Sequence, residues 1–143
     1  MELVSPYLIA LAIAWLVAHI IKYAIAIAKG TQLDLTRQLF ISGGMPSSHA
    51  ATTVAVWMVV LLKDGAASGL FGLATLVVLI ACYDAVKVRR SSGEQGAAII
   101  ALIHETKSKV KIPRAARGHT PVEVIAGAVL GALIGYVVFF ATK

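Results

Sequence analysis

The sequence predicts an all-α integral membrane protein, a helical bundle of about four transmembrane helices plus an interfacial helix. Of its 143 residues, 59% are hydrophobic and 14% are charged, a balance that soluble domains of this size rarely reach. The apolar residues are gathered into four runs, each bounded by turn residues, which is the pattern of helices that cross a bilayer. One membrane-embedded domain, residues 1–143, is expected, because a chain of this length leaves no room for a second core.

The four runs define the predicted transmembrane helices. The first and last are long enough to cross a bilayer, whereas the second is short and begins at a Pro-Ser-Ser turn. Asp84 and Lys87 interrupt the third. Pro121 suits the first turn of the last helix, where its missing N–H costs nothing. The predicted spans are Pro6–Ala28, 46–62, 70–88 and Pro121–Ala141.

The connections between these spans differ in character. Residues 29–45 are polar, and residues 63–69 form a tight hairpin turn. Residues 89–118 are the one long connection. Within it, apolar residues recur at helical spacing over 94–105, which predicts the interfacial helix.

The net charge of +6 is distributed unevenly. With four spans, most of the thirteen Lys and Arg residues fall on the side that holds the two polar connections, and the positive-inside rule makes that side cytoplasmic. This predicts a multi-pass protein of the cell (inner) membrane whose partner is anionic lipid and not nucleic acid. The cytoplasmic basic residues are Lys29, Arg37, Lys87, Arg89, Arg90, Lys107, Lys109, Lys111, Arg114 and Arg117.

Two polar turns carry the functional signal. Residues 43–49, Gly-Gly-Met-Pro-Ser-Ser-His, and residues 118–123, Gly-His-Thr-Pro-Val-Glu, each place a histidine where a turn enters an apolar run. A polar turn at the mouth of a membrane helix is costly unless it is used. The four-span topology puts both turns on the cytoplasmic face, where the helix N-termini add unpaired N–H groups and positive dipole ends. The predicted ligand is an anion with several oxygens, and phosphate fits best.

The residue types at this face suggest a division of roles. His119 and Glu123 are four residues apart on a helix, so the carboxylate can fix the imidazole tautomer and leave the other nitrogen as a nucleophile. His49 could act as general acid. The alternative is a set of helix caps and interfacial side chains that snorkel. The predicted catalytic residues are His119, His49 and Glu123, and the predicted substrate-binding residues are Lys22, Ser47, Ser48, Arg89, Arg90 and Asp84.

No metal and no other cofactor is predicted. Zinc would need His49, His119, Asp84 and Glu123 as ligands, but their spacing matches no zinc motif and the neighbouring cations would repel a divalent ion. The sequence argues less strongly against a magnesium ion beside Asp84 or Glu94 than against zinc. The single Cys82 excludes an intramolecular disulfide.

The motifs resemble those of a known superfamily. Residues 46–49 are similar to the Pro-Ser-Gly-His motif of the type-2 phosphatidic acid phosphatases, a superfamily that includes the vanadium haloperoxidases. Residues 118–123, followed by Ala126 and Gly127, resemble its last motif, a histidine four residues before an aspartate at the start of a small-residue helix. Together with residues 84–95, these motifs resemble the small divergent branch of that superfamily in bacteria and plastids.

The resemblance implies a mechanism without a metal. His119 would attack phosphorus and form a phosphohistidine, oriented by Glu123 where the superfamily usually has aspartate. His49 would protonate the leaving group, and water would then release phosphate.

The chain departs from the superfamily pattern in its cations. The usual first motif is Lys, six residues, then Arg-Pro, and here only Lys22 carries over. The arginine that usually lies six residues before the last histidine is replaced by Pro113. The expected replacements are Arg89 and Arg90, with Arg114 and Arg117 as weaker candidates.

These observations predict a membrane phosphatase that removes phosphate from a lipid phosphomonoester, phosphatidylglycerophosphate or phosphatidate. The alternatives are a polyprenyl diphosphate phosphatase and a non-catalytic membrane protein that binds anionic lipid. Gly127, Gly131 and Gly135 repeat every four residues, which favours close helix packing either within the chain or in a homodimer.

Overall fold

The computed structural model describes residues 5–30, 44–113, 115 and 118–143. Within these residues the regular structure is entirely helical, in agreement with the predicted all-α class. A π-helical turn, Asp84–Val88, joins the third helix to the fourth without a break. The helices are α1 (Pro6–Ala28), α2 (Ser48–Asp64), α3 (Gly69–Tyr83), α4 (Arg89–Glu105) and α5 (Pro121–Ala141).

Helix α2 lies at the centre of the bundle. Its residues Ala51, Ala55 and Val59 have no exposed surface, because α1, α3 and α5 pack around it. Antiparallel packing of α3 is marked by a hydrogen bond of 2.9 Å from Trp57 Nε1 to Thr75 Oγ1. The α2 core residues are small or β-branched, so its neighbours approach closely.

Helix α1 also runs antiparallel to α2. At the end of the bundle where α1 begins and α2 ends, the Tyr7 hydroxyl donates a hydrogen bond of 2.5 Å to Asp64 Oδ2. The last residues of α1 and the first residues of α2 therefore lie together at the opposite end.

Helix α5 runs parallel to α2 and makes the closest contact with it. A Cβ atom built on Gly127, Gly131 or Gly135 would overlap a backbone carbonyl oxygen of α2. Only glycine permits this approach of two backbones. The glycine repeat, predicted to pack within the chain or between copies, is thus used within the chain. The three carbonyls are those of Ser47, Ala51 and Ala55, in the same order as the glycines.

The prediction of about four transmembrane helices is wrong in its count. Three stretches of the described residues are long and apolar enough to cross a membrane, namely Pro6–Ala28, Gly69–Glu105 and Pro121–Ala141. The remaining helix, α2, has 17 residues. At 1.5 Å per residue it is roughly 26 Å long, short of a ~30 Å hydrocarbon core. The Pro-Ser turn at one end and Asp64 at the other limit its length.

The predicted interfacial helix is also not a separate element. Residues 94–105 belong to α4, which continues α3 through the π-helical turn, so the third spanning stretch extends to Glu105. The polar start of α4 stays helical because its side chains pair at helical spacing. Arg90 Nε lies 3.2 Å from Glu94 Oε1, and Gln95 Nε2 donates to Ser91 Oγ over 3.3 Å.

Candidate active site

The two polar turns of the sequence lie side by side at one end of the bundle. The backbone N–H of Ser47 donates a hydrogen bond of 2.9 Å to the carbonyl oxygen of Glu123, in the first turn of α5. Ser47 caps α2 by accepting the Ala50 N–H over 3.4 Å. Thr120 caps α5 in the same manner. Because α2 and α5 are parallel, their positive N-terminal ends lie side by side at the same end of the bundle.

His119 and Glu123 form the pair that their spacing predicts. Nδ1 of His119 lies 3.2 Å from Glu123 Oε2. The same oxygen accepts the Thr120 N–H at 2.9 Å, which completes a capping box. With Glu123 ionised, Nδ1 carries the proton and Nε2 keeps its lone pair. His119 is 3% exposed, so both its ring and its tautomer are held by the protein.

The loop before His119 is docked on the π-helical turn. The His119 N–H donates a hydrogen bond of 3.0 Å to the carbonyl oxygen of Ala85. Gly118 has φ +62°, and a Cβ built there would lie 2.6 Å from the backbone nitrogen of Arg90. A residue with a side chain could not occupy this position without moving the loop away.

The two consecutive arginines face different partners. Arg89 Nε lies 2.5 Å from Asp84 Oδ2, across the π-helical turn. Arg90 pairs instead with Glu94, in a surface ion pair with both side chains more than half exposed. Among the described charges, Arg89 acts on the pKa of both site histidines, whereas Arg90 is not one of the groups that shift either pKa.

Both site histidines have lowered pKa values. Burial is the largest cause for His119, followed by the positive charge of Lys22, and the Glu123 contact only partly offsets these effects. For His49, partial burial again lowers the pKa most, followed by the charges of Arg89, His119 and Lys22. The structure thus brings one cation from α1 and one from the α3–α4 junction to both histidines. The neutral imidazole form of each is favoured.

The other predicted substrate-binding residues lie at the same end but are more enclosed. Lys22 is 9% exposed near the end of α1, and Ser48 is also buried. The Ser47 hydroxyl is fully buried and accepts the capping bond. His49 is exposed, so the site has an open side at His49 and a closed side at His119. A direct contact of either serine with a phosphate stays a prediction.

Some sequence predictions fall outside the described residues. Gly43 of the first motif, together with Arg114 and Arg117, belongs to this group. Across the described part of the chain, no three His, Cys, Asp or Glu residues are grouped so that they could hold a metal ion. The absence of a metal requirement stays a prediction.

One contributor to the site escapes sequence reasoning. Ala85 acts through its backbone carbonyl, and an alanine in an apolar run carries no functional signal. The nearest available clue was the interruption of that run by Asp84 and Lys87, which coincides with the π-helical turn. Turns of this kind occur frequently at functional sites.

An open apolar groove lies on the outer face of α3 and the π-helical turn. Its volume is about 560 Å³, and Asp84 lies at its polar end. Because Asp84 is paired with Arg89, the groove ends beside the cation that influences both histidines. The apolar lining consists of Leu79, Ile80, Tyr83 and Val88.

Long apolar helices, together with a polar cluster at one bundle end, define this chain as a helical membrane protein. The chain belongs to the divergent PAP2 family, whose sequence profile matches residues 3–134. It is 34% identical over 157 aligned positions to the uncharacterized membrane protein YuiD of Bacillus subtilis (strain 168), with 98% of both sequences covered. No solved structure shows a significant match. Family membership agrees with the resemblance drawn from the three motifs.

Proposed function

We propose that this protein is a membrane phosphatase that removes phosphate from a lipid phosphomonoester through a phosphohistidine. The observation that carries the proposal is the His119–Glu123 pair, held beside His49 under the positive charge of Lys22 and Arg89. This set supplies a nucleophile, an orienting carboxylate, an acid and cations for a phosphate. Membership of the divergent PAP2 family supports the same reaction class.

In the first step, Nε2 of His119 attacks phosphorus and a P–N bond forms. The bond between phosphorus and the lipid oxygen breaks, and His49 donates a proton to the departing oxygen. Glu123 keeps accepting the hydrogen bond from Nδ1–H, without taking the proton, and stabilises the positive charge that develops on the ring. Lys22 and Arg89 offset the phosphate charge.

In the second step, water attacks the phosphohistidine. His49, now neutral, accepts the water proton while the P–N bond breaks and His119 regains its lone pair. The products are the dephosphorylated lipid and inorganic phosphate, so atoms and protons balance. Both histidines return to their starting states.

A lipid substrate is supported by the groove along α3. The apolar side chains that line it can hold an acyl chain, and its polar end at Asp84 lies next to Arg89. A phosphate attached to that lipid would then lie at the membrane surface near the histidines. Lys29 follows α1, Lys87 lies in the π-helical turn, and Arg89 and Arg90 begin α4, so basic residues gather at the end of the bundle that holds the site. By the positive-inside rule this end faces the cytoplasm, which favours phosphatidate or phosphatidylglycerophosphate over an outward-facing polyprenyl diphosphate.

The test is phosphate release by the purified protein in lipid vesicles. The panel contains phosphatidate, phosphatidylglycerophosphate, a polyprenyl diphosphate and soluble glycerol 3-phosphate. We expect release from the first two, and a loss of about 10³-fold or more in His119→Ala. Mass spectrometry after a non-acidic quench should find phosphate on His119. The matched control is His104→Ala at the exposed end of α4, which should retain full activity.

A second candidate is a non-catalytic protein that binds an anionic headgroup. The burial of His119, 3% exposed, is the observation that favours it, because a nucleophile needs access to its substrate. In that case the unmodified protein would bind phosphatidate without releasing phosphate, and no phosphohistidine would form. Tight binding of vanadate, which mimics the transferring phosphoryl group, would instead support the phosphatase.

A further inference from the structure

Asp84 and Arg89 face each other because the helix between them is π-helical. In a regular α-helix a residue five positions on lies about 140° around the axis, so the two side chains would point apart. Here the Arg89 N–H bonds the Asp84 carbonyl, as the wider turn requires, and the side chains meet at 2.5 Å. The π-helical turn therefore selects Arg89 as the partner of Asp84.

The next arginine follows the α-helical rule. Arg90 pairs with Glu94, four residues further, at 3.2 Å. The change from π-helix to α-helix thus gives two adjacent arginines different partners, Asp84 for Arg89 and Glu94 for Arg90. Of these two arginines, only Arg89 is among the charges that shift the pKa values of His49 and His119.

We infer, on the basis of the proposed phosphatase function, that Asp84 is a positioning residue that holds Arg89 toward the two histidines, so that Arg89 and not Arg90 meets the substrate phosphate. A carboxylate beside a phosphate would repel it, which argues against Asp84 as a direct ligand. The Asp84 carboxylate contacts Nε of Arg89. The two Nη groups are then left to donate a pair of parallel hydrogen bonds to two phosphate oxygens.

A double-mutant cycle tests whether Asp84 acts through Arg89. We expect Asp84→Asn to lower kcat/KM for phosphatidate about tenfold and Arg89→Ala to lower it about 100-fold, whereas the double variant should equal Arg89→Ala. Asp84→Glu should recover part of the loss. Arg90→Ala should lower kcat/KM much less than Arg89→Ala, and the control Gln95→Ala on the exposed surface of α4 should leave it unchanged. Additive losses in the double variant would overturn the inference.

A second measurement does not depend on turnover. The charged groups that shift the His119 pKa are Lys22 from α1, Glu123 from α5 and Arg89 from the α3–α4 junction, and the His119 charge in turn lowers the pKa of His49 from α2. Asp84 acts on His49 but is not among the groups that shift the His119 pKa. The Arg89 charge lowers the His119 pKa. If NMR titration of Asp84→Asn shows a higher His119 pKa, Arg89 has moved away from His119.

The two measurements separate this inference from the proposed function. If the unmodified protein releases no phosphate and forms no phosphohistidine, the phosphatase proposal fails and the phosphate role of Arg89 fails with it. If it turns over phosphatidate but the His119 pKa stays unchanged in Asp84→Asn, only the positioning role of Asp84 is overturned.

Discussion

The backbone N–H of His119 donates a hydrogen bond of 3.0 Å to the carbonyl oxygen of Ala85. This bond ties the loop before α5 to the π-helical turn between α3 and α4. The first turn of α5 is in turn bonded to the N-terminus of α2 through Ser47 and Glu123. Three separate parts of the chain are thereby held in one arrangement around the two histidines.

Gly118→Ala should damage the site more than the fold. The positive φ alone costs roughly 1–2 kcal/mol for a residue with a Cβ, and the new atom would overlap the Arg90 backbone. The His119–Ala85 bond should then break, and we expect at least a tenfold loss of phosphate release. Thermal unfolding and the release assay on the same preparation measure both effects.

The control for this substitution is Gly65→Ala in the α2–α3 turn. Gly65 also has a positive φ, +82°, but a Cβ there meets nothing within 4 Å. It should therefore show a similar loss of stability with full activity. Equal activity losses in both variants would mean that backbone strain, and not the docking of the loop on Arg90, explains the Gly118 effect.

Glu123→Gln should lower the rate and shift its pH dependence. Glu123 raises the pKa of His119, so its neutralisation lowers that pKa, and the acid limb of the rate profile moves to lower pH. The maximal rate should fall about 10²-fold or more, because a neutral amide no longer fixes the His119 tautomer or stabilises the positive charge on its ring. Thr120→Ala removes only the cap, so it should cost about 1 kcal/mol of stability and leave the pH profile in place.

The unmodified protein should have its activity optimum below pH 6.5, the ordinary pKa of histidine. His119 must be neutral to attack, and its lowered pKa keeps it neutral to lower pH. His49 must be protonated to act as acid, and its lowered pKa makes the rate fall earlier as pH rises. The initial rate of phosphate release from pH 4 to 9 gives this bell-shaped profile directly.

Lys22→Met should move that profile to higher pH. The Lys22 charge lowers the pKa of both histidines, so its removal raises both values and shifts both limbs in the same direction. The maximal rate should also fall, but the position of the profile is the decisive readout. Lys63→Met, at the other end of α2, should not move it. An unmoved profile in Lys22→Met would place Lys22 away from the working site.

Gly131→Val should destabilise the bundle by roughly 1–3 kcal/mol, because its side chain would push α5 away from the Ala51 carbonyl. Gly72→Ala is the matched control within a helix, since nothing lies within 4 Å of a Cβ built there. Thermal unfolding in the same detergent measures both. If Gly131→Val unfolds at the same temperature as the unmodified protein, the close α2–α5 contact is contradicted.

Features that depend on neighbouring residues alone could be predicted from the sequence. Apolar runs of spanning length identify α1 and α5, because few other structures tolerate such residues, and Pro121 with Thr120 marks the start of α5. The His119–Glu123 pair follows from helical spacing alone, since residues four apart share a face. The three motifs in order were sufficient to predict the family.

Tertiary structure decided what depends on relations between distant segments. The sequence could not show that Arg89 and Arg90 face different partners, because a helix changes from α to π without a distinctive residue pattern. Nor could it choose between use of the α5 glycines within the chain and between copies, since either contact satisfies the same close packing. The role of Ala85 lies in a backbone carbonyl that every residue has, so only its position beside His119 distinguishes it.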